Sequence, residues 1–510
     1  MRQPTQQQVE SSRVVADAAS PLRFSRRQFL TSALATGALL SHPFAMAQRR
    51  QPPAQAVPLP PEIEPLVRIL EDTPRERLLE EVGQRVRQGL DYRTLLAALL
   101  LAGVRNIQPR PVGFKFHAVM VVYSVHLISQ SAPVSDRWLP IFWALDYFKS
   151  AQAADAYQGD WTMGAVDPAH IPPARQARPA FIEAMESWDE ASADTAIAGL
   201  ARTAKSQDFF DLLCRYGARD FRDIGHKAIF VANAWRTLPA IGWAHAEPVL
   251  RSLAYALLAH GGSDDAGLHA FQRNQRLAAS IRTDWLSGQA QAAAVTDLLQ
   301  TLRQASPDDA SGAVVEQLNR GVGPQSIWDA LFNSAAELMM RQPGIMAIHA
   351  VTTTNALHMA FRTTTDDATR RLVLLQNAAF IPMFRGQPKT KPATAIDQMA
   401  PGALAQTGPS AIDEIFADIA RHPYQAARKT LAYLYQQQPP GAFMEAARHE
   451  LLRKGNNAHD YKFTSAVLED YAHVSPAWRD RYLAASIFNL YGSEHAGNPL
   501  VERIRTALQG

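Results

Sequence analysis

The sequence has almost no cysteine, and this scarcity excludes several kinds of site. Cys214 is the single cysteine among 510 residues. The chain therefore has no intrachain disulfide framework and lacks the thiolates that cysteine-based zinc or iron–sulfur sites need. Lysine is also rare, because 42 of the 51 basic residues are arginine and only nine are lysine. A lysine inside an apolar segment is therefore unusual in this chain.

Charge of one sign and long hydrophobic runs are lacking as well. The net charge of +3 comes from residues 1–47, because the rest of the chain has 46 basic and 46 acidic residues. Nucleic-acid-binding proteins usually have a basic surplus, so we predict no nucleic-acid partner. The longest apolar run beyond the N-terminus, Thr94 to Val104, has 11 residues. A membrane span needs about 20, so we predict none in the mature chain.

Several sequence motifs of known chemistry do not occur. The chain has no GxGxxG or GxxxxGK[ST] loop for phosphates, no HExxH zinc motif and no GxSxG nucleophile motif. Segments with strand periodicity and hairpin turns are also missing. A dinucleotide-binding domain built on a parallel sheet is therefore not expected.

The N-terminal residues form an export signal. Arg26-Arg27 is followed by a short apolar segment, Phe29 to Leu40, and then by a small-x-small cleavage site at residues 45–47. These three parts in this order indicate a twin-arginine signal peptide over residues 1–47. The alternative is a chance Arg-Arg pair before a buried helix. We predict that the mature protein is periplasmic or secreted after cleavage, and that the twin-arginine export machinery is a partner.

Helical periodicity dominates the rest of the sequence. Residues 48–65 contain six prolines and are predicted to form a tether. Residues 66–510 are predicted to form a single large all-α domain, a bundle-like array of about twenty helices, with a long loop near 385–409. The Thr73-Pro74-Arg75-Glu76 segment, for example, combines an N-cap residue with proline at the first helical position.

Histidines inside apolar helical segments are the main chemical signal. His117 and His126 share one such segment, about 113–130, and His349 and His358 share another. Residues nine apart point to opposite faces of a straight helix, so each pair can place only one histidine at a common site. One inward histidine from each of several helices can build a metal site in a bundle. The alternative is that each histidine is a hydrogen-bonded core residue.

Two further spacings are informative. His459 and Lys462 lie about 60° apart on a helix and can face the same site. Asn233 lies nearly in line with His226, two turns further along the helix. Arg236 follows on the same segment, and we predict that it contacts an anionic small-molecule substrate, the alternative being a surface or helix-capping role.

At these residues the chain resembles the questin oxidase-like family. The resemblance rests on Phe116-His117, on Gly225-His226 with Asn233-Ala234, on His349 with Asn355-Ala356, and on His459-x-x-Lys462. Their order extends over most of the mature chain, from about 113 to 470. Known members are largely helical and open anthraquinone-type rings with O₂.

The resemblance implies a non-haem iron (Fe) cofactor. The ligands that it implies are His117, His226, His349 and His459, together with Lys462, which would carry CO₂ as a carbamate. Asn233 and Asn355 are the expected residues that orient the histidines. Family members have further histidines close after the first one, whereas residues 118–121 of this chain are apolar, so His126 is the alternative first ligand.

The sequence as a whole predicts an exported metal-dependent oxidoreductase. The expected activity is an O₂-using oxygenase that acts on an aromatic or phenolic small molecule, although the export signal is foreign to the fungal pathways of known members. A non-catalytic periplasmic helical binding or scaffold protein and a metal-dependent hydrolase remain alternatives. Convergence of three or more of the named side chains on one point would favour a metal centre.

Overall fold

A computed structural model describes residues 56–261, 265–386 and 395–510 of the chain. Within these ranges there are 23 α-helices, several short 3₁₀ turns and no β-strand, and the two isolated backbone bridges join Ala56 to Gly164 and Gln289 to Val322. The prediction of an all-α fold is confirmed. The predicted signal peptide and the first part of the predicted tether lie outside the described residues.

The helices follow one another through short connections. The first twelve are α1 (Glu64–Asp72), α2 (Arg75–Arg87), α3 (Tyr92–Asn106), α4 (His117–Met120), α5 (Val122–Ser131), α6 (Leu139–Gln158), α7 (Ala174–Ser187), α8 (Glu190–Thr203), α9 (Ser206–Gly217), α10 (His226–Ile241), α11 (Ala246–Leu257) and α12 (Asp265–Ala278). The other eleven are α13 (Ala292–Leu302), α14 (Pro307–Asn319), α15 (Pro324–Arg341), α16 (Ile345–Thr363), α17 (Asp367–Arg385), α18 (Gly408–Asp418), α19 (Pro423–Tyr435), α20 (Pro440–Lys454), α21 (Ala458–Asp470), α22 (Arg479–Ala485) and α23 (Leu500–Gln509).

Helix α16 lies at the centre of the array. Every residue from Ala347 to Ala360 is buried, and the segment is made of small and apolar residues with few long side chains. A helix that is buried on all sides packs against several neighbours at once. Helix α16 contacts α10, α15, α17 and α21, while α5 packs against both α10 and α21. Helices α5, α10, α16 and α21 therefore surround a common axis.

The end of the predicted tether belongs to the folded part of the chain. The backbone N–H of Val57 donates to the carbonyl oxygen of Met163 over 2.8 Å. Val57 and Leu59 are buried, and α1 begins at Glu64. Residues 57–59 thus pack against the helices in spite of their proline content.

The segment of residues 113–130, expected as one helix, is divided in the structure. A 3₁₀ turn occupies Phe114–Phe116, α4 begins at His117, and α5 begins after Val121. Gly113 has φ +149° and Phe114 has φ +47°, so a continuous helix cannot include them. Further along the chain, α17 ends at Arg385 and α18 begins at Gly408, with a 3₁₀ turn at Ile396–Gln398 between them.

Among the described helices, none combines the length and the hydropathy needed to cross a membrane.

Candidate metal centre

Four histidines from four different helices converge in the interior. His117, His226, His349 and His459 belong to α4, α10, α16 and α21, and each offers a ring nitrogen within 4.8 Å of the others. The first three are buried and the fourth is nearly so. These are the four histidines that the family resemblance singled out. As a group they could hold a metal ion.

Three of the histidine rings approach one another through their Nε2 atoms. Nε2 of His226 lies 3.0 Å from Nε2 of His117 and 2.7 Å from Nε2 of His349. The ring of His459 closes the group, with its centroid 4.5 Å from that of His117 and 5.1 Å from that of His349. The four rings thus face one small volume.

Backbone carbonyls fix the tautomers of two rings. Nδ1 of His117 donates to the carbonyl oxygen of Phe114 over 2.8 Å, and Nδ1 of His349 donates to that of Ile345 over 2.7 Å. A neutral imidazole that carries its proton on Nδ1 presents a lone pair on Nε2. Both Nε2 lone pairs are therefore aimed at Nε2 of His226.

The ring nitrogens of the four histidines cannot all be hydrogen-bonded to one another. A neutral His226 ring can donate from Nε2 to only one of its two close neighbours, which leaves at least one of the two neighbouring lone pairs without a donor. Nδ1 of His226 and Nε2 of His459 are buried without any hydrogen-bond partner. Buried polar atoms without partners are rare in native proteins and call for an ion or another missing partner.

Protonation does not resolve this arrangement. Burial holds the pKa of His117, His226 and His459 well below 6.5, and it lowers the pKa of His349 to about 3. The rings are therefore neutral at neutral pH, which is the form in which imidazole binds metals. A cation other than a proton is the natural partner for these lone pairs.

The distances suit an imidazole-bound metal ion. Metal–nitrogen bonds are about 2.1 Å long, so neighbouring ligand atoms at right angles are about 3.0 Å apart and opposite ones about 4.2 Å apart. The observed Nε2–Nε2 distances of 2.7 and 3.0 Å correspond to neighbouring ligands. All four ligand atoms lie within 4.8 Å of one another, close to the separation of opposite ligands.

Lys462 lies beside the histidines without a partner of its own. Its side chain is 2% exposed, and its Nζ atom has no hydrogen-bond partner. Burial lowers the pKa of Lys462 to about 7. A charge on this amine would lower the pKa of all four histidines, which places the amine near the whole group. The amine is therefore a buried polar group within electrostatic reach of the four rings.

Left-handed backbone conformations bring α10 into the site. Asp223, Ile224 and Gly225 have φ values of +55°, +49° and +82°, and His226 follows as the first residue of α10. Non-glycine residues in this region store strain, and such strain clusters at functional sites. A Cβ atom on Gly225 would lie 2.1 Å from Oγ1 of Thr353, so glycine alone lets α10 approach α16 this closely.

Gly113 plays a related part on the other side of the rings. A Cβ atom there would lie 3.1 Å from both Cε1 and Nδ1 of His226 and 3.7 Å from Cε1 of His117. The backbone of Gly113 thus covers the two rings directly. The next residue, Phe114, is 62% exposed while its carbonyl oxygen binds His117.

A capping box sets the start of α21. The side chain of Asn457 accepts from the backbone N–H groups of His459 and Asp460, and the carboxylate of Asp460 accepts from the N–H of Asn457. The phenolic hydroxyl of Tyr491 also donates to Asp460. These bonds fix the first turn of the helix and hence the position of His459.

The other predicted site residues lie outside the histidine group. Nδ1 of His126 lies 3.4 Å from the hydroxyl of Tyr92, so the structure brings His117 and not His126 to the cluster. Asn233 donates to the carbonyl oxygen of Met120, and Asn355 donates to the carboxylates of Glu469 and Asp470.

Arg236 is held by three groups. Its Nη1 donates to Oδ1 of Asn355 over 2.8 Å, and its Nη2 lies 2.9 Å from a carboxylate oxygen of Glu469. The guanidinium also lies over the ring of Tyr123, 5.1 Å from the centroid. Asn355 is thus a partner of Arg236 rather than of a histidine among the hydrogen bonds described.

A small cavity connects these residues with Lys462. Its volume is about 10 Å³, roughly the space of one water molecule. The lining residues come from α5, α10, α16 and α21: Tyr123, Ser124, Ile229, Asn233, Arg236, Thr352, Asn355, Lys462, Ser465, Ala466 and Glu469. Glu469 was not predicted as a site residue, although its position two turns after Lys462 places it on the same face of α21.

Comparisons of the chain with models of protein families, with curated proteins and with solved structures found no match.

Proposed function

We propose that the protein is an exported, metal-dependent oxidoreductase with a non-haem iron centre. The convergence of His117, His226, His349 and His459 around lone pairs that lack partners carries this proposal. The use of O₂ and an aromatic or phenolic substrate is what the resemblance to the questin oxidase-like family adds. The proposal thus joins a geometric observation with a resemblance in sequence.

The number of donors favours iron over zinc. A site in which Lys462 joins the four imidazoles would have five donors, whereas zinc usually has four ligands in tetrahedral geometry. Imidazole binds iron, copper and zinc alike, so the number of donor groups is the feature that distinguishes iron from zinc here. When bound, iron with an open position would supply Lewis acidity toward an oxygen ligand.

The protein residues would hold and orient that group. The carbonyls of Phe114 and Ile345 keep the Nε2 lone pairs of His117 and His349 directed inward. Because the histidines are neutral, a carbamate on Lys462 would provide an anionic oxygen donor. The buried surroundings exclude bulk water from the ligands and strengthen their electrostatic interaction with a cation.

Metal analysis tests the first part of the proposal. We would purify the protein without a histidine tag and measure bound metals by elemental mass spectrometry. We expect near-stoichiometric iron in the wild type and its loss in His226→Ala and His349→Ala. His358→Ala is the matched control, because His358 is buried in α16 but lies among aromatic rings, 4.8 Å from that of Trp328.

The outcomes separate the candidate functions. Iron that depends on His226 and His349 but not on His358 would support the oxygenase and justify measuring O₂ consumption with phenolic compounds. Zinc with the same dependence would favour a hydrolase. A protein that stays free of metal after reconstitution with iron, copper or zinc would refute the metal centre and leave the helical binding protein.

Export is tested separately by cell fractionation. We expect the wild type in the periplasm or medium, and a variant with Arg26→Lys and Arg27→Lys to stay in the cytoplasm. Equal export of both proteins would refute the twin-arginine route without touching the metal proposal.

A further inference from the structure

The small cavity is lined by residues that lie one or two turns beyond the histidines on α10, α16 and α21. Thr352 follows His349 by one turn, and Lys462 follows His459 by one turn. A second turn leads to Asn355 and Ser465, which also line the cavity. The polar residues therefore form successive layers that begin at the histidines and lead away from them.

An ion pair closes the outer end of these layers. The side chains of Arg236 and Glu469 are 11% and 23% exposed and lie 2.9 Å apart. Tyr123 supports the guanidinium from below, and Asn355 bonds to both members of the pair. These groups are partly exposed, so the ion pair itself lies at the protein surface at this end of the cavity.

The inner end of the cavity is formed by the unpartnered amine of Lys462. Lys462 is the most deeply buried polar group of the lining at 2% exposed, followed by Ser124 at 3% and by Thr352 and Ser465 at 4%. A polar cavity with room for about one water molecule and several polar partners can hold a small guest. Pockets for ring-sized ligands are far larger, about 300 Å³ or more.

We propose that this cavity is a separate entrance to the centre for molecules of two or three atoms, such as O₂, CO₂ or water. The Arg236–Glu469 pair is its gate, and a ring-sized compound has to approach the centre from another side. The inference deepens the proposed function, because it assigns a route to the small co-reactant. The route itself rests on the cavity alone.

Chemical labelling of Lys462 tests the route without turnover and without metal. Protein treated with a chelator is exposed to cyanate, a triatomic reagent, and in parallel to a sulfonated aryl isothiocyanate, a ring-sized one. Modification of each lysine is followed by peptide mass spectrometry. Lys205 is exposed and Lys227 is fully buried in an ion pair with Asp220, so they serve as internal controls.

The expected pattern is selective by size. Of these three lysines, cyanate modifies Lys462 and Lys205 but not Lys227, whereas the aryl reagent modifies only Lys205. Glu469→Ala opens the gate and accelerates the reaction of cyanate with Lys462. Ala466→Val adds two carbon atoms to the cavity wall and abolishes that reaction, while Lys205 reacts as before. Thr352→Ile narrows the cavity from α16 and replaces Ala466→Val if that variant does not fold.

Three results would overturn the inference. One is modification of Lys462 by both reagents, which would mean that the path does not select by size. Another is failure of cyanate to reach Lys462 even in Glu469→Ala. The third is an unchanged reaction in folded Ala466→Val or Thr352→Ile. Since no metal takes part, a failed metal analysis leaves each of these results interpretable.

Discussion

Replacing Gly225 by alanine tests how the site is assembled. Gly225 has φ +82° and immediately precedes His226, the first residue of α10. An added Cβ atom would lie 2.1 Å from Oγ1, 2.9 Å from Cγ2 and 3.0 Å from Cβ of Thr353. Thr353 is fully buried, so its side chain has no free space into which it can turn.

Two costs combine in the Gly225→Ala variant. The left-handed conformation costs an alanine about 1–2 kcal/mol relative to the right-handed one. Overpacking against a buried side chain costs about 1–3 kcal/mol, because the neighbours have to shift. We therefore expect the free energy of unfolding to fall by about 2–5 kcal/mol. A shift of α10 would also displace His226 and weaken metal binding.

Urea unfolding followed by circular dichroism measures this loss, and Gly89→Ala is the matched control. Gly89 has φ +103°, and an added Cβ atom there would meet nothing within 4 Å. The control should therefore lose only the conformational part, about 1–2 kcal/mol. Adding Thr353→Ala to Gly225→Ala removes the two closest atoms and should recover part of the overpacking cost.

The comparison between the two glycines decides the outcome. If Gly225→Ala is no more destabilising than Gly89→Ala, the close approach of α10 to α16 does not exist as described. If Thr353→Ala fails to rescue Gly225→Ala, the clash lies elsewhere. Either result would remove the argument that Gly225 sets the position of His226.

Two further predictions concern buried titratable groups. Burial holds the pKa of His358 well below 6.5. Below pH 6.5 the unfolded chain therefore binds a proton at this histidine that the folded chain does not bind. As a result, the free energy of unfolding falls toward acid by up to about 1.4 kcal/mol per pH unit. His358→Leu should therefore gain stability relative to the wild type at pH 5 but not at pH 7.5, and an equal difference in urea midpoint at both would contradict this. Lys462→Met removes a buried amine without a partner, so the metal-free protein should gain about 1–3 kcal/mol of stability while its affinity for iron falls. Urea unfolding with and without iron measures both effects, and a destabilised metal-free variant would mean that the amine has a partner.

The fold class followed from the sequence because helical periodicity is a local property. The apolar stripe of α2 is visible in Leu78, Leu79 and Val82, whereas the predicted Thr73 cap does not form, because Pro74 precedes the helix without a side-chain cap bond. The late start of the helix within residues 113–130 was not visible, because it depends on the positive φ values of Gly113 and Phe114. Local sequence determines whether a helix forms, whereas packing against other elements can determine where the helix begins or ends.

The histidine group was only partly accessible from the sequence. Helical phase shows that His117 and His126 cannot share a site, but it gives no reason to prefer one of them. The choice of His117 depends on the turn at Phe114, whose carbonyl accepts its Nδ1 proton. Asn355 was expected near the histidines and instead bonds to Arg236 and Glu469, because separations above one hundred residues carry no local spacing signal.

The charge of the centre follows from its position among helix ends. His226 is the first residue of α10, His459 the second of α21 and His349 the fifth of α16. Helix N-termini carry partial positive charge, which further disfavours protonated imidazole and keeps the donors neutral. The candidate group contains no carboxylate among the residues that the structure describes. A bound divalent ion would thus keep its positive charge, so the centre would attract an anionic oxygen ligand, such as a phenolate or a carbamate, rather than a cation.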